Sequence, residues 1–119
     1  MKEWKELVDA AKSKGVMHLY ITSNNISTKV RYHGQTFILF ERPISYGVNL
    51  LVSACKNIAQ PALSLDIEGE VIIDGNDGAI RSYLGALVSI VIRPLYNEFD
   101  QKHGVFMMLK IVKFDDPAK

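Results

Sequence analysis

ISTKVRYHGQTFILFER, residues 26–42, reads as two strands joined by a tight turn. Ile26, Val30 and Tyr32 interleave with polar residues, and Phe37-Ile38-Leu39-Phe40 is an apolar run of strand-forming side chains. His33-Gly34 falls between them, and a glycine adopts the positive φ that a hairpin turn requires. The pattern predicts strands over 27–33 and 35–41. Arg31 then stands on a strand beside the turn. Two readings of it stay open at this point: a solvated edge charge, or a guanidinium held rigidly toward a partner.

Toward the N-terminus, Trp4, Leu7, Val8 and Ala11 recur at i, i+3, i+4 and i+7, which predicts a helix over 2–14 with one apolar face. Lys12 and Lys14 suit its last turn, and Gly15 its cap. VMHLYIT predicts a strand over 17–22, and Ser23-Asn24-Asn25 turns into the hairpin. Beyond the hairpin, Pro43 ends pairing. Residues 45–59 read as a second helix, with Ser45 as candidate N-cap and Gln60-Pro61 as the stop. Its predicted apolar stripe is Val48, Leu51, Val52, Cys55 and Ala59, widened by Leu50, Ala54 and Ile58.

LSLDIEGEVIID, ending at Asp74, has strand character around Gly69, and residues 74–78 are dense in turn formers. A short strand is expected near Ile80–Tyr83, a buried one over 86–93, a polar loop from Arg93-Pro94 to Gly104, and a last strand over 105–113. The order α-β-β-β-α-β-β-β predicts one α+β domain over 1–114, with a mostly antiparallel sheet and two helices packed on one face. Residues 115–119 read as a linker or tail. Leu51, Val52, Cys55, Ile90, Ile92, Leu109 and Ile111 are the expected core.

A chain of 119 residues favours one domain with a modest core. Fourteen Lys+Arg against thirteen Asp+Glu leave a net charge of +1, which predicts no broad attraction to nucleic acid or anionic membrane. One cysteine excludes an internal disulfide and favours a reducing, cytoplasmic setting. MKEWKELVDAAK is charged and helical, unlike a signal peptide, and no apolar run reaches the roughly 20 residues of a membrane span.

Catalytic signatures are missing. There is no phosphate-cradling glycine loop ending in Gly-Lys-Ser/Thr and no Gly-x-Ser-x-Gly elbow. Cys55 lies on a helical apolar stripe, where core packing is the preferred role. His18, His33 and His103 are widely separated, so no metal site is expected, nor any other cofactor. Asp74-Gly75-Asn76-Asp77-Gly78 follows an acidic stretch, Asp66, Glu68 and Glu70, but lacks the spacing and closing Glu of a calcium loop. Tyr20, Tyr32 and Phe37 suit base stacking in type, but core packing is preferred without a basic surplus.

In order and spacing, the motifs resemble the domain that precedes the motor in type II secretion and type IV pilus ATPases. Val30-Arg31-Tyr32-His33-Gly34 is similar to the family's Val/Ile-Arg-x-x-Gly hairpin. LVSACKNIA, residues 51–59, is similar to its next helix, and Asp77-Gly78-Ala79-Ile80-Arg81 to its Asp-Gly-Arg-Ile turn. GVFMMLKIV, residues 104–112, is similar to its closing strand, and Pro94 falls where the family has a proline between its last two strands. The resemblance spans about residues 6–114. Met17-His18-Leu19-Tyr20-Ile21 lacks the family's strand acid, Ala79 replaces the turn arginine, and Ser89 replaces the arginine before the proline, with Arg93 shifted nearby. Lys110 stands for the closing arginine, and the motor with its phosphate loop is absent from this sequence.

The resemblance implies a PAS-like α+β sandwich acting as a non-catalytic regulatory and assembly domain. It implies a protein partner, the motor domain of a neighbouring subunit in a ring, and neither nucleic acid nor membrane insertion. It also implies that Arg31, with Lys110 and Arg93 as weaker counterparts, senses the neighbour's nucleotide in trans. The alternative is a stand-alone α+β protein-binding module of the kind a phage or plasmid encodes.

Overall fold

The computed structural model describes residues 2–55, 71–74, 85–96, 99 and 102–114. The N-terminal stripe becomes helix α1 (Lys2–Lys14), which buries Trp4, Leu7, Val8 and Ala11. Gly15, at φ 73°, closes it. The Gly15 N–H donates to the Lys12 carbonyl (3.2 Å) and the Val16 N–H to that of Ala11 (3.0 Å), the paired bonds of a Schellman cap.

Strands β1 (His18–Asn24), β2 (Thr28–Tyr32) and β3 (Phe37–Arg42) follow, then α2 (Ile44–Cys55), β4 (Val71–Asp74), β5 (Ala86–Tyr96) and β6 (Lys102–Phe114). They form one six-stranded sheet in the order β3-β2-β1-β6-β5-β4, antiparallel at every pairing. The fold is thus α+β, with the first and last strands paired at its centre.

Strand alternation sorts the side chains cleanly. Leu19 and Ile21 of β1 face Leu109 and Met107 of β6, which face Ile90 and Ile92 of β5. All six are fully buried, in one cluster with Trp4, Leu7, Leu50 and Leu51 of the helices. Both helices therefore cover the same sheet face. Leu109 lies at the middle of this layer, and Leu109→Ala is expected to cost about 2–5 kcal/mol in urea unfolding. A loss below about 1 kcal/mol would show that the strand's faces are reversed.

The expected stripe of α2 is corrected by rotation. The helix buries Gly47, Leu50, Leu51 and Ala54, whereas Val52 is 42% exposed. The cause is Gly47, whose N–H donates to Thr28 Oγ1 (3.1 Å) while Thr28 and Ser23 share a buried hydroxyl contact (2.9 Å). A Cβ at position 47 would collide with Ser23 and Thr28, so the helix seats on its glycine and turns Val52 outward. The Cys55 side chain and the expected continuation to Ala59 lie outside the described residues.

The helix also starts earlier than expected, at Ile44, and the Tyr46 N–H donates to the Pro43 carbonyl (3.0 Å). Pro43 therefore stands at the cap position and Ser45 inside the first turn. Tyr46 ties the two helices, its hydroxyl donating to Glu6 Oε1 at 2.7 Å. Burial pushes the Tyr46 phenol well above its ordinary range, and the Glu6 carboxylate adds to the effect, so it remains a neutral donor.

The polar loop expected at 93–104 is mostly strand, because β5 runs on through Arg93-Pro94 to Tyr96 and β6 begins at Lys102. Pro94 pairs with Val105 of β6, and among the described residues β4 covers only Ser89–Ile92 of β5, so no described strand asks Pro94 for an N–H. The strand character expected near Gly69 surfaces as β4 at 71–74. The expected strand at Ile80–Tyr83, the acidic residues 66–70, the turn 75–78 and the tail 115–119 lie outside the described residues.

Candidate functional site

The hairpin places Arg31 through its own irregularities. Its strands are 28–32 and 37–42, shorter than expected, and a four-residue turn replaces the two-residue one. His33, Gly34 and Gln35 all take left-handed backbone angles (53°, 62° and 74°), and the Thr36 N–H donates to the His33 carbonyl (3.2 Å). Leu39 is the extra residue of a bulge, since Val30 pairs with Phe40 and Arg31 with Ile38. The bulge disrupts an edge strand that otherwise exposes Phe37 and Ile38, which opposes pairing with another sheet.

Val30 is buried beneath the helices, so Arg31 points from the opposite face. On that face one row of cross-strand neighbours crosses all six strands: Ile38, Arg31, Tyr20, Met108, Val91, Ile72. Five of the six are apolar or aromatic, and Arg31 is the one charge among them. Six strands at about 4.8 Å spacing make this row roughly 24 Å long. Ile38 (57%) and Ile72 (64%) expose its two ends.

A row of Lys29, Thr22, Phe106 and Arg93 lies on one side, and a row of His18, Lys110, Ser89 and Asp74 on the other. Lys29 is engaged by Glu41 (3.7 Å), which also accepts from Ser27 Oγ (3.1 Å). The Arg93 guanidinium lies over the Phe106 ring at 5.1 Å, and Tyr20 and Phe106 are 6.3 Å apart. Among the described residues no salt bridge involves Arg31, and Glu41, on the neighbouring strand, pairs with Lys29.

The structure therefore brings Arg31, Lys110 and Arg93 to one face in three adjacent rows, with Arg31 in the middle one. Tyr20 also belongs to this face, although its residue type suggested core packing; the period-two pattern of HLYITSN, with Leu19 and Ile21 inward, carried that signal. Tyr32 and Phe37 stack on each other at 5.6 Å beside the hairpin turn. His18 and His33, far apart in sequence, line one groove with Gly15, Val16, Met17, Tyr20 and Gly34. Among the described residues no three His, Cys, Asp or Glu side chains gather as metal ligands, and no helix is long and apolar enough to cross a membrane.

No protein-family model matches the chain, and neither does any curated protein compared with it.

Proposed function

We propose that this chain is a non-catalytic regulatory and assembly domain of a secretion or type IV pilus ATPase. It packs on a neighbouring motor domain in the cytoplasm and senses that motor's nucleotide in trans through Arg31. The observation that carries this reading is the six-residue row opposite the helices. An apolar centre holding one arginine, with charged residues to either side, is the anatomy of a protein interface. An arginine fixed on a paired strand also meets phosphate oxygens with little ordering left to do.

Met108→Asp tests the packing step. Met108 lies mid-row, half-buried and directed away from the core, so the fold should survive. Association with the motor domain, followed by analytical ultracentrifugation, should weaken by about tenfold or more as a buried carboxylate meets an apolar surface. Unchanged association would exclude this face as the contact. The stand-alone module remains the other reading, and binding to a protein other than a motor through the same row would favour it.

A further inference from the structure

The groove formed by residues 15–18, Tyr20 and the hairpin turn has a volume of ≈ 350 Å³. That lies at the lower end of the range for small-molecule sites, and the lining is mixed in the usual way, with Val16 and Met17 beside His18, Tyr20 and His33. Among the described residues, the charged side chains next to it in the sheet register are basic. Arg31 is the direct cross-strand neighbour of Tyr20, and Lys110 that of His18. Such neighbours have their Cβ atoms about 4.5–5.5 Å apart, so Arg31 and Lys110 border the groove on its two sides without lining it. Among the described residues no carboxylate lines the groove.

A second observation is the backbone of the turn. His33 and Gln35 take left-handed conformations that side chains other than glycine adopt at a cost. The His33 ring is braced at 4.9 Å from Tyr32 and edge-on to Phe37 at 5.9 Å. Strain of this kind persists where the surroundings hold it, and here it holds an imidazole at the groove's lip.

We propose that this groove binds a mononucleotide. The base and ribose lie against Met17, Tyr20 and His33, and the phosphate is held by Arg31 and Lys110 with an N–H bond from His18. The guanidinium supplies a two-pronged hydrogen-bond fork, Lys110 a point charge, and imidazole a single N–H donor. Arg31 and Lys110 are shared with the nucleotide-sensing reading above, but this binding needs no motor domain. The two therefore stand or fall separately.

The test is NMR titration of the isolated 119-residue chain, observing the imidazole signals of His18 and His33, with AMP as probe. Both histidines should shift saturably, with half-saturation near about 1 mM. Adenosine should shift them far less, because it lacks the charge that Arg31 and Lys110 select. Arg31→Ala and Lys110→Met should each weaken AMP binding by about threefold to tenfold, and His33→Asn should reduce the shift at His18 while keeping the left-handed turn. Unchanged core methyl signals would verify that each variant is folded. No shift by about 20 mM AMP, an equal response to adenosine, or an equal response to sulfate that survives Arg31→Ala would each overturn the proposal.

Discussion

Arg31→Ala should lower the ATPase activity of an assembled secretion or pilus motor by about tenfold or more while leaving the domain's stability nearly unchanged. Arginines supplied in trans to phosphoryl transfer are worth on the order of 10³–10⁵ in rate, and a sensing role lies at or below the lower end. The split between activity and stability follows from position. Arg31 is half-buried on the face away from the core, and among the described residues it makes no salt bridge that its removal would break. An exposed ion pair is worth about 0–1 kcal/mol in any case. The measurement is steady-state ATP hydrolysis by the assembled ring, beside urea unfolding of the domain alone. Arg31→Lys keeps the charge and loses the fork, so a partial recovery would identify bidentate phosphate contact rather than bulk attraction. Full activity in the Arg31→Ala ring would leave this face a docking role alone.

Trp4→Ala is expected to cost about 3–5 kcal/mol, against a total stability of about 5–15 kcal/mol for a domain of this kind. Trp4 is fully buried and its Nε1–H donates to the Leu50 carbonyl across the α1–α2 contact at 2.8 Å. The substitution removes an indole from the layer between helices and sheet, and it removes the hydrogen bond that joins α1 to α2. Trp4→Phe retains most of the packing and loses the bond, for an expected cost of about 1–2 kcal/mol. Urea unfolding measures both. A Trp4→Ala loss under about 1 kcal/mol would mean that α1 is an appendage to the sheet rather than part of its core.

Helix α1 was legible because its information is local: Trp4, Leu7, Val8 and Ala11 recur with the period of a helix, and Gly15 supplies the left-handed cap. Most strands were legible for the same reason, since Leu19 and Ile21 alternate with polar neighbours and Leu109 and Ile111 with Met108 and Lys110. The stripe of α2 was misjudged by about one residue position. Apolar pattern alone favours Val48 and Val52, and nothing local reveals that Gly47 must lie against the hydroxyls of Ser23 and Thr28. Pro94 misled in the other direction, because its place in a strand is set by pairing with Val105 of β6, which no local pattern around Arg93-Pro94 reveals.

By itself the sequence determined the element order, the α+β class, the apolar faces of α1 and the long strands, and Arg31 as the charge beside the hairpin turn. Periodicity and turn chemistry act over a few residues, so they can be read without knowing any partner strand. Tertiary structure alone decided the register. Pairing His18 with Lys110 and Tyr20 with Met108 joins the two halves of the chain, and it is this alignment that lines up six residues into one row. The hairpin registers set Arg31 between Ile38 and Tyr20, the central pairing brings Lys110 beside His18, and the left-handed turn carries His33 to the same groove. A one-residue slip in that central pair would set the core side chains of one half against the solvent face of the other, and the apolar alternation opposes it; a shift by two residues keeps the faces, so the choice among such registers is made by tertiary packing.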